Sequence, residues 1–103
     1  MNVATLPNRK ALVETLHRNQ INFAALFGSQ AKGTATATSD FDILIEFSPD
    51  ARIGLFKYQA IEAEIASAIG KRVDLVTMSG IDKHIKREVL RTMKVIYDNR
   101  AKR

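Results

Sequence analysis

The chain contains no cysteine, so it can form neither a disulfide framework nor a thiolate metal site. It also has no apolar run that approaches the length needed to cross a bilayer. The first residues lack the charged start and the uninterrupted apolar core that are typical of a signal peptide. From these absences we expect a soluble, cytoplasmic protein.

The composition is that of an ordinary globular protein, since 46% of the 103 residues are hydrophobic. This length predicts a single domain over residues 1–103, large enough to build a core. The net charge of +5 suits an anionic partner such as a nucleotide, a nucleic acid or an acidic protein face. A solvated helix face with a basic tail explains most of the surplus equally simply, and we favour it. The basic residues of the last third are Lys83, Lys86, Arg87, Arg91, Lys94, Arg100, Lys102 and Arg103.

Hydrophobic periodicity predicts an alternation of helices and strands, hence an α/β or α+β domain with helices packed on a small mixed β-sheet. The clearest strand is FDILIEF, in which Phe41, Ile43, Ile45 and Phe47 share one face and Asp42 lies on the other. The predicted elements are a helix from Pro7 or Asn8 to about Asn19, a strand over Ile21–Phe27, a helical turn and loop over Gln30–Ser39, the strand Phe41–Phe47, a helix over about Leu55–Ile69, a strand over Arg72–Thr77, a helix over about Ile81–Thr92, and an edge strand in KVIYD.

Two aspartates, Asp40 and Asp42, stand at the start of that clearest strand. Residues two apart on a strand point to the same side, so their carboxylates can converge on a shared cation. Mg²⁺ typically takes one or two carboxylates together with substrate phosphates. Asp74 lies within another predicted strand, and it can join the pair if the two strands are neighbours.

Gly28 and Ser29 end the strand that precedes the aspartates. A glycine there lets the backbone approach a phosphate closely, and a serine hydroxyl at a helix start would hold it. Lys32, one turn further on, could neutralise another phosphate oxygen. A phosphate-binding corner that faces a pair of metal-binding carboxylates is typical of enzymes that catalyse phosphoryl or nucleotidyl transfer.

Gly28-Ser29, ten intervening residues and then Asp40-x-Asp42 make up the GSx10DxD signature. In this the sequence resembles the polymerase-beta-like nucleotidyltransferase superfamily, and in its length and later elements the minimal nucleotidyltransferase branch. The similarity extends from about Val13 to Tyr97.

The resemblance implies that an NTP, most often ATP, is bound with two Mg²⁺ ions and that an acceptor hydroxyl attacks its α-phosphorus. It implies that Asp40, Asp42 and Asp74 are metal ligands, with Asp74 also acting as base. Gly28 and Ser29 would hold the triphosphate, and Lys32 stands where the family often has arginine. Many members of this branch are antitoxins encoded beside HEPT-domain toxins, and some transfer AMP to a tyrosine of the toxin, which here would act in trans.

Three other functions are open at this level. The protein could neutralise a partner by binding alone, without catalysis. It could modify a small molecule such as an aminoglycoside, although the similar enzymes usually carry an added helical domain for that acceptor. A nucleic-acid-binding role ranks last, because the chain has no aromatic platform or recognition motif to support it.

Overall fold

The computed structural model describes residues 6–36 and 40–100. Its elements confirm the predicted order, including the single helical turn after the first strand and the final edge strand. The predicted loop residues 37–39 and the basic residues Lys102 and Arg103 lie outside the described part of the chain. The elements are α1 (Arg9–Arg18), β1 (Ile21–Phe27), α2 (Ser29–Lys32), β2 (Phe41–Phe47), α3 (Leu55–Ile69), β3 (Val73–Thr77), α4 (Lys83–Thr92) and β4 (Lys94–Asp98).

The four strands form one sheet in the order β3-β2-β1-β4. β1 runs antiparallel to both β2 and β4, whereas β2 and β3 are parallel. The sheet is therefore mixed, as predicted. Parallel neighbours need a crossover connection, and α3 supplies it between β2 and β3.

The larger core lies on the face of the sheet that α1 and α3 cover, which we call the α3 face. There Ile43 and Ile45 of β2 are fully buried against Leu12 of α1 and against Ile61 and Ile65 of α3. This burial explains why the apolar positions of β2 alternate, since each second residue must face the helices.

The opposite face, which we call the α4 face, carries a smaller apolar cluster. Phe23, Ala25 and Leu44 of the sheet are buried there with Ile81 and Val89. Asp42 alternates with the α3-face residues of β2, so its side chain belongs to the α4 face.

The last helix differs from its prediction at its start. It begins at Lys83, and Asp82 caps it by accepting a hydrogen bond from the His84 backbone N–H at 2.8 Å. Ile81 is therefore buried ahead of the helix. Ile85, which belongs to the same four-residue repeat, is 48% exposed, because α4 touches the sheet mainly around Val89.

Across residues 6–36 and 40–100, none of the helices has both the length and the apolar character needed to span a membrane.

Candidate active site

The acidic site begins where β1 ends beside the start of β2. The antiparallel register pairs Phe27 with Asp42, so the backbone of Gly28 lies against the Asp42 carboxylate. A Cβ placed on Gly28 would be 2.2 Å from Asp42 Oδ2, and the backbone φ of Gly28 is +67°. Only glycine allows both the close approach and this backbone conformation.

Asp74 lies directly beside Asp42 on the next strand. In the parallel pairing of β2 and β3 these two residues are register partners. Paired residues on neighbouring strands point to the same face, with their backbones about 4.8 Å apart. The structure thus brings together two of the three predicted acids on the α4 face of the sheet.

Asp40 stands one residue ahead of β2 and turns toward the edge of the sheet. Its Oδ1 lies 3.3 Å from Arg72 Nε in an exposed ion pair. The carbonyl of Arg72 accepts a hydrogen bond from the Phe41 N–H at 2.9 Å, which fixes the two segments side by side. Arg72 is only two residues from Asp74 in the chain, but the described ion pair joins it to Asp40.

Burial and the neighbouring acids make Asp42 costly to ionise. The pKa of Asp42 is raised above its usual range first by burial, and then by the negative charges of Asp74 and Asp40. A cation placed among the carboxylates would relieve this repulsion. The local charge pattern is therefore suited to a positively charged ligand on the α4 face.

The glycine-serine corner continues into α2, a single helical turn. Ser29 is half-buried there, and the Lys32 N–H donates to the Gly28 carbonyl at 3.1 Å. Lys32 Nζ lies 3.8 Å from Glu88 Oε2 of α4, with about half of each side chain exposed. An exposed pair of this kind is worth about 0–1 kcal/mol, so a polyphosphate can compete for the lysine.

The outer edge of β3 is held by two side chains of α3. The Leu75 N–H donates to Glu62 Oε2 at 3.1 Å, and Tyr58 Oη donates to the Leu75 carbonyl. Both edge groups of the residue that follows Asp74 are therefore satisfied without another strand. Burial raises the pKa of Tyr58, and the charges of Glu62 and Asp74 raise it further, so the phenol stays a donor.

The carboxylates of this site are the candidate donors for the Mg²⁺ ions implied by the resemblance. Carboxylate oxygens are the ligands that Mg²⁺ prefers, and Asp42 and Asp74 share one face beside a close backbone approach. Among the described residues, no three His, Cys, Asp or Glu side chains are grouped closely enough to hold a metal. The residues therefore fit the ion by chemistry, and Asp40 would have to leave Arg72 to complete a set of three.

The sequence alone did not predict two sets of contacts: the hydrogen bonds of Tyr58 and Glu62 with β3, and the ion pair of Lys32 with Glu88. Tyr58 and Glu62 are one helical turn apart, but this spacing acquires a meaning only when β3 is known to be an edge strand. The link between Lys32 and Glu88 depends on where α4 crosses the sheet, which no local pattern shows.

Comparison with known proteins agrees with this geometry. A family model described as polymerase beta, nucleotidyltransferase matches residues 10–102. The protein adenylyltransferase MntA of Thermococcus cleftensis is 34% identical over 84 residues, which cover 82% of this chain and 81% of that protein.

Solved structures share the fold. A crystal structure of a toxin-antitoxin with AMP-PNP superposes with a TM-score of 0.75 at 23% identity, covering 90% of this chain and 75% of that one. The complex of tri-AMPylated Shewanella oneidensis HEPN toxin with MNT antitoxin gives 0.66 at 20% identity, covering 88% and 70%. At these identities the likeness establishes the fold.

The fold and the paired acids beside a glycine-serine corner are those of a nucleotidyltransferase. With the family model matching residues 10–102, the chain belongs to the polymerase beta nucleotidyltransferase family.

Proposed function

We propose that residues 1–103 form a single minimal nucleotidyltransferase domain that transfers AMP from ATP to a hydroxyl group, and that its acceptor is a tyrosine of a HEPT- or HEPN-type toxin. The protein would thus be the antitoxin of a two-component pair. We place the reaction in the cytoplasm, where its nucleotide substrate is made and used.

The observation that carries the proposal is the arrangement around Asp42. Its carboxylate has the Gly28 backbone on one side and Asp74 on the other. A triphosphate can approach the backbone closely at the glycine, while its α-phosphoryl group lies next to the acids. Catalysis of phosphoryl transfer consists mainly of such positioning and of charge stabilisation.

Asp40, Asp42 and Asp74 are the residues that would hold two Mg²⁺ ions. When bound, the ions would neutralise the charge of the triphosphate and polarise the phosphoryl group. Gly28 and Ser29 would hold the phosphates through backbone and hydroxyl contacts. Lys32 would exchange its weak pairing with Glu88 for a phosphate oxygen.

The chemical step is a displacement at the α-phosphorus of ATP. The acceptor oxygen forms a bond to this phosphorus, and the bond to the oxygen that bridges to the β-phosphorus breaks. Pyrophosphate leaves with the bonding electron pair. The hydroxyl proton passes to the Asp74 carboxylate and then to solvent, so the products are the adenylylated acceptor, pyrophosphate and one proton.

The relatives support the choice of nucleotide and partner. The Thermococcus cleftensis relative is named a protein adenylyltransferase, and the structural neighbours include a toxin-antitoxin with AMP-PNP and a tri-AMPylated toxin bound to its antitoxin. These names describe other proteins, and we extend them to this chain on the strength of the shared fold and signature.

The test uses ATP labelled at the α-phosphate, Mg²⁺ and the toxin encoded beside the gene. We expect label on the toxin with the unaltered protein and none with Asp42→Asn, which removes a charge from the acidic site. Asp50→Asn is the matched control, because Asp50 is exposed in the turn after β2. Thermal unfolding and toxin co-purification show whether each variant still folds and binds.

The outcomes separate catalysis from simple occlusion. Loss of labelling and of neutralisation in Asp42→Asn, with binding retained, supports the transfer reaction. An Asp42→Asn variant that still neutralises the toxin without labelling it would mean that binding alone suffices. An unaltered protein that labels an aminoglycoside but not the toxin would assign the acceptor to small molecules.

A further inference from the structure

One carboxylate links the helical turn after the glycine-serine corner to the last helix. Glu88 of α4 accepts a hydrogen bond from Arg91 Nη2 through its Oε1 at 2.6 Å, and its other oxygen, Oε2, lies 3.8 Å from Lys32 Nζ. About half of the Glu88 side chain is exposed, and Arg91 is more exposed still. A single anion thus holds two cations, one from α2 and one from α4, in contact with solvent.

The strand pairing places this end of α4 at the end of β1. β4 begins two residues after α4 ends, and its first residue, Lys94, is the register partner of Leu26. Gly28 and Ser29 follow Leu26 closely along the chain. Arg91 belongs to the last turn of α4, so it lies at the same end of the sheet as the corner that would hold the triphosphate.

A carboxylate and a phosphoryl group both present negatively charged oxygens to a cation. Arginine binds such oxygens through paired N–H donors, whereas lysine acts as a point charge. We propose that Arg91 is a triphosphate-binding residue beside Lys32, and that Glu88 is a stand-in anion that holds both cations until the phosphates of the nucleotide take its place. This inference rests on the transfer reaction proposed above and extends its nucleotide site onto α4.

Glu88 is a charged but replaceable partner. The hydrogen bond from Arg91 lowers the pKa of Glu88, so its carboxylate is ionised near neutral pH. Because the side chain is half exposed, water solvates this carboxylate when the cations leave it, and no buried charge is left unpaired. Exposed ion pairs of this kind contribute little to stability. A triphosphate carries several negative charges against the one of a carboxylate, so it competes for both cations.

A purely structural role predicts the opposite result for Glu88. If Glu88 only tied α2 to α4, then Glu88→Gln would loosen the corner and weaken nucleotide binding. If Glu88 is a stand-in, the same change removes both the competitor for the cations and a negative charge that repels the phosphates. Nucleotide binding should then become tighter, and the direction of the change separates the two roles.

The test measures the binding of AMP-PNP in the presence of Mg²⁺ and in the absence of any acceptor. Arg91→Ala should weaken binding about tenfold, because it removes a charge-assisted hydrogen bond. Arg91→Lys, which keeps the charge without the paired donors, should lose less. Glu88→Gln should bind several-fold more tightly. Lys83→Ala is the matched control, since it removes one exposed positive charge from the same helix about 12 Å further along its axis.

Inorganic triphosphate is the second probe, because it has neither base nor sugar. The variants should rank for it as they do for AMP-PNP, and thermal unfolding shows whether each variant still folds. Normal AMP-PNP affinity in Arg91→Ala, or an equal loss in Lys83→Ala, would overturn the assignment of Arg91. A loss confined to AMP-PNP would mean that Arg91 contacts the nucleoside and would overturn the phosphate contact.

The remaining outcomes separate this inference from the proposed function. Weaker AMP-PNP binding in Glu88→Gln would overturn the role of Glu88 as a stand-in. The expected ranking of the variants, found in a protein that transfers no label to the toxin, would support the phosphate contact and contradict the proposed acceptor. An unaltered protein that does not bind AMP-PNP would overturn both.

Discussion

Replacing Gly28 by alanine gives the sharpest test of the acidic site. The new methyl carbon would lie 2.2 Å from Asp42 Oδ2, whereas contacts of a real Cβ below 3.0 Å are essentially never seen. Asp42 has a short side chain, so its carboxylate must rotate or withdraw by about 1 Å. A misplacement of about 1 Å in a reacting group can cost about 100-fold in rate, and we expect a loss of that size in transfer.

The stability cost of the same substitution is separate from the functional one. Gly28 has φ +67° and ψ −145°, a region that is open essentially to glycine alone. Forcing alanine into it costs about 1–3 kcal/mol. A fall in activity could then come simply from unfolding, so a control must carry a similar strain without touching the acids.

Gly70, at the end of α3, supplies that control. It has φ +69° and ψ 26°, and a Cβ placed on it would meet nothing within 4 Å. Alanine in this left-handed conformation costs about 1–2 kcal/mol, so Gly70→Ala carries a backbone strain of the same order as Gly28→Ala but without the clash with Asp42. Transfer of labelled AMP should fall only in Gly28→Ala. If both variants retain full transfer, or both lose it equally, the close packing of Gly28 on Asp42 has no special role in the site.

Three further substitutions test the surrounding structure. Ile65→Ala, in the centre of the larger core, should cost about 2–5 kcal/mol in urea unfolding, because it leaves a cavity where the side chain is fully buried; a cost below 1 kcal/mol would mean that the core is mispacked. Glu62→Ala leaves the Leu75 N–H without its acceptor, which should cost about 1–3 kcal/mol and speed hydrogen exchange at that amide. Glu62→Gln keeps an acceptor oxygen and should not speed the exchange. Equal exchange rates in the two variants would contradict the hydrogen bond from Leu75 to Glu62. The hydrogen bond from Arg18 is the main cause that lowers the pKa of Glu64 in the folded protein below 4.5, so its stabilisation is present above that pH and is lost as the pH falls through the lowered pKa. Glu64→Gln should therefore lower the free energy of unfolding near pH 7 by under about 1 kcal/mol and make it depend less on pH in the acid range. An unchanged acid dependence would mean that the Arg18–Glu64 pair does not contribute to stability.

The sequence was sufficient to predict the elements, because β2 alternates at every position except Leu44 and the helices carry clear apolar stripes. Its strand period also assigned Asp42 to the face opposite Ile43, which the packing confirms. The glycine-serine corner was found from spacing alone. These features are local, so they depend on residues that are close in the chain.

The sequence predicted that Asp74 joins the other two aspartates only on the condition that β3 lies beside β2. Whether it meets Asp42 depends on β3 lying beside β2 in one particular register, and a shift of one residue would turn its carboxylate to the other face. The same register sets Arg72 opposite the residues before β2, so the arginine pairs with Asp40. Such pairings are set by strand order, and a single strand's sequence does not contain them.

The exposure of Ile85 shows that a correctly predicted helix does not fix how deeply each of its apolar residues is buried. Its four-residue spacing from Ile81 and Val89 is a genuine helical signal, but it does not say how wide a stripe the sheet covers. α4 contacts the sheet around Val89, and Ile85 stays half exposed. The amount of burial depends on the partner surface, and not on the periodicity of the helix.

The two faces of the sheet separate the larger apolar core from the acidic site, and electrostatics explains why. The raised pKa of Asp42, caused first by burial and then by the charges of Asp74 and Asp40, means that its ionised carboxylate destabilises the fold, so the free energy of folding must come from elsewhere. The fully buried Ile43 and Ile45 provide it on the α3 face, one residue away from the acids along the same strand. Because the side chains of a strand alternate, a single strand can anchor the core and carry the repelling charges at once. Substitutions of apolar residues on the α3 face should therefore change unfolding, whereas neutralising Asp42 should stabilise the fold in the absence of metal while it abolishes transfer.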